Sequence, residues 1–266
     1  MTANYSDLEN KSVFVTGGGS GIGAEITKAF IQQGAKVTFV QRSDARQFCD
    51  EIEAEFNSRP YFIKCDITDL KALKGAVESA SSVHGNVEVL VNNAANDDRH
   101  ETLKVTEEYW DNSQAINLKS YFFTCQFVLA GMRAKGQGSI INFSSISYMM
   151  GNSGYPTYTT ANAGIMGMTR SLAREFGRDN IRVNAIAPGW VLTKKQIDKW
   201  ATPDGLKAHL DRQCIKSHLK ENDIAGGTLF LASASSSMIT GQLIAIDGGV
   251  VMTLSLIHIS EPTRPY

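Results

Sequence analysis

The sequence predicts a single-domain α/β protein in which seven parallel strands form one doubly wound sheet with helices on both faces. Three observations lead there. Short β-branched runs recur along the chain, stretches with helical spacing separate them, and a glycine cluster joins the first run to the first helix. Strands are expected at 12–16, 36–40, 60–64, 87–91, 139–143, 181–186 and 243–246. After Gly21, the residues Ile22, Ile26, Ala29 and Phe30 follow one helix face, and Gly34 supplies a stop. Leu70, Leu73 and Val77 repeat that spacing in the third crossover. Near-continuous apolar strands between helices mark a parallel sheet buried on both faces. Only 191–220 departs from the rhythm. It is polar, carries Lys194, Lys195, Trp200 and Pro203, and is expected to be an irregular lid or substrate loop.

Composition narrows the function classes. In 266 residues, 26 Lys and Arg face 27 Asp and Glu, so no basic surplus draws the chain to nucleic acid or anionic lipid. The longest apolar stretch, 121–132, is broken by Thr124 and Gln126 and is too short to span a bilayer. The first residues carry Asp7, Glu9 and Lys11 without an apolar core, unlike a signal peptide. Cys49, Cys65, Cys125 and Cys214 fit no metal spacing, so a reduced, cytoplasmic protein without a metal is expected. The expected domain runs over 1–253 and includes the 191–220 loop. Residues 254–266 contain a string, 254–264, that resembles a translated sequencing adapter, so this tail is expected to be non-native and His258 to have no role. A genuine terminal strand is the alternative.

The glycine cluster is the first chemical signal. Gly17, Gly21 and Gly23 lie in Thr16-Gly17-Gly18-Gly19-Ser20-Gly21-Ile22-Gly23, between a strand and a helix. Glycines let the backbone turn tightly and approach a pyrophosphate, whose charge a helix N-terminus favours. Such turns also occur without a ligand. The further motifs are Asp66, Asn92-Asn93-Ala94, Asn117, Ser145 with Tyr158, and Pro188-Gly189. In this order and spacing, from Lys11 to Gly249, the chain resembles the short-chain dehydrogenase/reductase family. The run from Asn92 to His100, with Ala95, Gln213 to Ile215 and Trp190, resembles its aldose 1-dehydrogenase branch, which acts on xylose, galactose and similar sugars.

The resemblance implies a Rossmann-like fold, a homotetramer and NAD(P)-dependent oxidation of an aldose at C1 to the lactone. It implies a cofactor site of Gly17, Ser20, Gly21, Ile22, Gly23, Gln41, Arg42, Asp66, Ile67, Asn93, Tyr158, Asn162, Pro188, Val191 and Thr193. In it Asp66 accepts from the adenine amino group and Thr193 contacts the carboxamide. Tyr158 is the implied acid/base, Ser145 binds the reacting oxygen, and Asn117 kinks its helix and holds a relay water. Ser144 and Ser147 are neighbouring serines, and spacing selects Ser145. The family's lysine, four residues after the tyrosine, would favour phenolate, but this chain has Asn162. Losing such tuning costs about 10²–10⁴ in rate. Three explanations are open: a slow or alkaline-shifted natural variant, an engineered trap, or a dinucleotide-binding member without turnover. A dehydrogenase of another secondary alcohol is the enzymatic alternative.

Two further points concern specificity. Arg42 ends the second strand where an acidic residue would contact a ribose 2′-hydroxyl, so NADP is expected ahead of NAD. Alternatively, Arg42 is a surface charge and Asp44 contacts the ribose. Asn96, Asp97, Arg99 and His100 form a polar group after the fourth strand that would suit sugar hydroxyls or remain solvated. Substrate contacts are expected from Asn96, Ser145, Tyr148 and Tyr158. Tyr148, Trp190 and Trp200 either face a pyranose ring or belong to core or interface.

Overall fold

The computed structural model describes residues 3–252, so the expectation for the 254–266 tail lies outside the described residues. The strands are β1 (Ser12–Thr16), β2 (Lys36–Gln41), β3 (Tyr61–Lys64), β4 (Val89–Asn92), β5 (Gly138–Phe143), β6 (Ile181–Pro188) and β7 (Leu243–Ile246). They pair in parallel in the order β3-β2-β1-β4-β5-β6-β7. All seven expected strands are present, β1 and β7 with the expected ends and the other five with shifted ones. β3 starts after Pro60, which has no N–H to give a ladder. β6 runs on to Pro188, which lies opposite Ile246.

The helices are α1 (Gly21–Gln32), α2 (Arg46–Phe56), α3 (Leu70–His84), α4 (Glu107–Gln114), α5 (Ser120–Lys135), α6 (Pro156–Phe176), α7 (Lys194–Lys199), α8 (Pro203–Arg212) and α9 (Glu221–Ala232). Local chemistry sets their ends. Asp69 accepts from the Lys71 and Ala72 amides, both at 3.0 Å, and α3 then buries Leu73, Ala76, Val77 and Ala80 along one face. Gly34, at φ 76°, lets the chain leave α1 in the left-handed region. One apolar cluster packs α1, α2 and α9 against the sheet, and another packs α3, α5 and α6 against the opposite face. β1 is buried at every residue, as a central strand covered on both faces must be.

The 191–220 segment corrects the expectation of irregular structure. It holds α7 and α8, closed off by a parallel bridge between Val191 and Leu219. The Thr193 hydroxyl caps α7 by accepting from the Gln196 amide. Thr202 caps α8 the same way, with Pro203 in the first turn. Neither helix buries a residue, so there was no apolar stripe to reveal them.

Candidate active site

The strand order reverses between β1 and β4, and the carboxyl ends of these strands open a crevice there. The Thr16 hydroxyl binds across it, accepting from the Asn93 amide at 2.9 Å and the Ala94 amide at 3.1 Å. The Asn93 side chain returns the contact, donating to the Thr16 carbonyl at 3.0 Å and the Gly17 carbonyl at 3.3 Å. Asn93 thus fixes the glycine turn. Gly17 has φ 70°, and a Cβ at Gly23 would collide with the Gly17 carbonyl oxygen. Ser20 makes no side-chain cap, leaving the first amides of α1 facing a cavity of about 1480 Å³. Bare amides at a helix N-terminus, approached through glycines, fit a pyrophosphate.

The adenosine end has a defined donor set. Gln41 is folded onto the turn, its Oε1 accepting from the Gly19 amide at 3.0 Å and its Nε2 donating to the Ser43 hydroxyl at 3.1 Å. Asp66 accepts from the Thr68 amide at 2.9 Å and hydroxyl at 2.7 Å through one oxygen. Burial would raise its pKa, but the Thr68 bonds and the Arg42 charge hold it below the ordinary carboxylate value. Asp44 is held down to about 2 by its hydrogen bonds with Arg46 and lies outside the cavity lining. Arg42 lines the cavity and forms no ion pair among the described residues. These placements favour Arg42 over Asp44 as the group that meets a ribose substituent.

The chemical end is built from α6, the loop after β5, and a π-turn. α4 passes into α5 through Ala115–Lys119, where the expected kink takes the form of a π-turn. There the buried Asn117 accepts from the Asn96 amide at 2.8 Å and donates to the Asn96 carbonyl at 3.1 Å. Pro156 starts α6, which sets Tyr158 and Asn162 one turn apart on one face. Tyr158 and Ser145 line the same end of the cavity, and the Ser145 Oγ accepts from the Ser147 amide at 3.1 Å. Ser144 donates its hydroxyl to the Asn162 carbonyl at 3.0 Å.

Charge is what this end lacks. Burial pushes Tyr158 up to about 12 and the Asp97 carboxylate adds to the rise, while the Ser145 hydroxyl and Asn162 amide oppose it. Asn162 is itself buried and donates to the Tyr158 backbone carbonyl at 2.8 Å. That bond is satisfied within the helix and brings no positive charge to the phenol.

The lid closes over both ends. Thr193 reaches the glycine turn, for a Cβ added at Gly21 would lie 3.4 Å from its methyl group. From α7, Lys195 pairs with Asp97 at 2.6 Å, Gln196 donates to the same carboxylate at 2.7 Å, and Lys199 meets Asp98 at 3.4 Å. The Arg99 guanidinium lies 3.6 Å from the Tyr155 ring centre and 5.2 Å from that of Trp200. Tyr155 stacks in turn on Tyr158, centres 5.5 Å apart.

Every residue expected to hold the cofactor lines this cavity, as do Asn96, Asn117, Ser145, Trp190 and Trp200. Two expected participants do not. Tyr148 lies outside the lining, half-buried, with burial raising its pKa and Arg170 as the charge it feels. His100 turns away to pack on Tyr109, with its Nδ1 3.2 Å from the Tyr109 hydroxyl. The structure adds Tyr121, Tyr155, Lys195 and Gln196, which no motif marked because tertiary packing brings them in. Among the described residues no helix is long and apolar enough to cross a membrane.

Comparison with known proteins agrees with this geometry. A family model described as enoyl-(acyl carrier protein) reductase matches residues 17–251. A protein of Rhizobium meliloti (strain 1021), assigned as a galactose dehydrogenase, is 45% identical over 251 residues, covering 94% of this chain and 98% of that protein. The D-xylose 1-dehydrogenase of Caulobacter vibrioides (strain NA1000 / CB15N) is 44% identical, covering 93% and 98%. A crystal structure assigned as a short-chain alcohol dehydrogenase from Sinorhizobium meliloti 1021 superposes with a TM-score of 0.87 at 32% identity, covering 92% of this chain and 98% of that one.

Proposed function

Because the chain belongs to the short-chain dehydrogenase/reductase family, an oxidoreductase family using nicotinamide dinucleotides, we propose that it oxidises an aldose at C1 to the lactone. NADP is the preferred acceptor and Tyr158 the acid/base. The carrying observation is that Tyr158 and Ser145 line the same cavity as the bare N-terminus of α1. The galactose and D-xylose 1-dehydrogenase relatives support the choice of substrate class.

When bound, the dinucleotide supplies the acceptor for the C1 hydride. Tyr158 takes the hydroxyl proton as the C1–O bond becomes a carbonyl, and Ser145 donates to the same oxygen. Burial pushes the phenol up to about 12, so little of it is ionised at neutral pH. Turnover is therefore slow at neutral pH and rises into the alkaline range. Asn117 holds the Asn96 backbone against the site as a positioning residue. Arg42 favours NADP because its guanidinium forks onto a 2′-phosphate. The polar lid disfavours a steroid-like alcohol. A cytoplasmic location and a homotetrameric assembly belong to this reading, and the four unpaired cysteines suit a reducing compartment.

A second reading rests on Asn162, whose amide brings no charge to Tyr158: a dinucleotide-binding member without turnover. An aldose panel with NAD and NADP, from neutral to alkaline pH, tests both. Aldose oxidation that grows with pH supports the dehydrogenase. Dinucleotide binding with no aldose oxidised at any pH overturns it and leaves the binding protein.

A further inference from the structure

Where the loop after β4 meets α7, every acid has a lysine. Asp97 pairs with Lys195 at 2.6 Å, Asp98 with Lys199 at 3.4 Å, and Asp198 with Lys194 at 3.1 Å. Arg99 is left over. It forms no ion pair among the described residues, and its one hydrogen bond there runs from Nη1 to the Asp97 carbonyl at a long 3.3 Å. A guanidinium carries five N–H donors, so most of the fork is unused. The side chain is exposed and lines the cavity.

What holds Arg99 is aromatic. Its Cζ lies 3.6 Å from the Tyr155 ring centre, a distance reached only over the ring face, and 5.2 Å from that of Trp200. Tyr155 is buried, accepts at its hydroxyl from the Asn152 amide at 3.2 Å, and stacks on Tyr158 with 24° between the rings. On the loop side, the His100 amide donates to the Gly154 carbonyl at 2.7 Å, which ties the residue after Arg99 to the turn before Tyr155. One aromatic ring therefore separates the guanidinium from the ring of the proposed acid/base. A guanidinium stacked by its face keeps its N–H edge free. The other polar residues after β4 are engaged elsewhere. The Asn96 backbone is bonded to Asn117, the Asp97 carboxylate to α7, and the His100 ring to Tyr109.

We propose that Arg99 is a specificity-determining residue of the sugar site, donating through its fork to two neighbouring oxygens of the aldose at the end away from C1. The inference rests on the reading of the cavity as a dinucleotide and sugar site. The two oxygens are hydroxyls of a neutral aldose or the carboxylate of a uronic acid. Both present adjacent acceptors to a planar fork, and the two sources separate by experiment.

The test uses the full chain as Arg99→Met, which keeps a long apolar stem, and Arg99→Lys, which keeps the charge but not the fork. Dissociation constants for NAD and NADP are read by tryptophan fluorescence without sugar. KM and kcat are read for galactose, xylose and galacturonate at saturating dinucleotide. Arg99→Met should raise KM about tenfold to a hundredfold, with kcat and dinucleotide affinity held within about twofold. Arg99→Lys should recover only part of that loss. If hydroxyls are read, galactose or xylose is the better substrate and carries the loss. If a carboxylate is read, galacturonate is the better substrate and Arg99→Met removes its advantage. KM for every sugar within twofold of the starting protein would overturn the proposal, as would full recovery by Arg99→Lys. So would dinucleotide affinity that falls as far as sugar affinity, since Arg99 would then serve the dinucleotide or the fold. Should no aldose be oxidised at any pH, the dehydrogenase reading fails by itself. The same sugars are then titrated into the dinucleotide-loaded protein, where Trp200, 5.2 Å from the guanidinium, reports them by its fluorescence. Sugar binding that Arg99→Met weakens about tenfold upholds the proposal, and no sugar bound to the starting protein ends it.

Discussion

On the proposed reading, position 162 sets how fast Tyr158 works. Asn162→Lys should place an ammonium beside the phenol, and a nearby positive charge favours the ionised form. The phenolate would then form at lower pH, so the rising limb of the pH–rate profile should move down. At neutral pH kcat should gain about tenfold to a thousandfold. Tyr158→Phe in the same background should abolish the gain. If Asn162→Lys binds dinucleotide normally yet is no faster at any pH, the proton relay is not the limiting defect. Arg42 carries a separate expectation. Arg42→Ala should weaken NADP and leave NAD nearly unchanged, because only NADP offers a phosphate for the guanidinium. Titration of both dinucleotides measures this, and equal losses would make Arg42 a structural residue.

Among the elements, α7 buries no residue and is attached through polar pairs. It is held to the loop after β4 by Asp97 and Asp98, through partly exposed pairs worth about 0–1 kcal/mol each. Asp97→Asn should therefore change global stability little. It should speed amide exchange over 194–199 and raise the apparent dinucleotide dissociation constant. The same variant removes a carboxylate that burdens Tyr158, so the alkaline limb should move slightly toward neutral pH. Unchanged exchange would mean that apolar packing holds the lid. α7 also shows where sequence legibility ends. The caps Thr193 and Thr202 were visible as residue types, but two short helices that bury nothing leave no periodic stripe. The central strands were legible because they are apolar, largely β-branched runs covered on both faces. Asn117, Ser145 and Tyr158 were legible because their spacing along the chain carries the pattern. Tyr121 was not, because only the packed molecule brings it to the cavity wall. His100 was misplaced because Tyr109, nine residues on, outbids the cavity for its ring.

At the scale of the molecule, one half-buried arginine ties the far side of the sheet together. Arg182 on β6 donates to the Leu231 carbonyl and the Ser236 hydroxyl, both at 2.7 Å, and to the Ala232 and Ser233 carbonyls at 3.3 and 3.1 Å. These carbonyls end α9, where a cation also meets the negative pole of the helix. Arg182→Met should cost about 3 kcal/mol and lower the melting temperature by about 10 °C. Dinucleotide affinity should survive below the transition. A melting temperature within two degrees or so of the starting protein would show that water replaces the arginine. The cavity, by contrast, divides between two halves of the sheet. β1 to β3 carry the glycine turn, Gln41, Arg42 and Asp66, whereas Asn117, Ser145, Tyr158 and Asn162 belong to the side that begins with β4. Asn162 rests in α6 with its amide bonded to the turn before it, so the fold accepts this residue without strain on the nucleotide half. Asparagine and lysine codons differ only in their third base. A lineage can therefore silence this chemistry, and later recover it, through one point mutation in a gene whose product stays folded throughout.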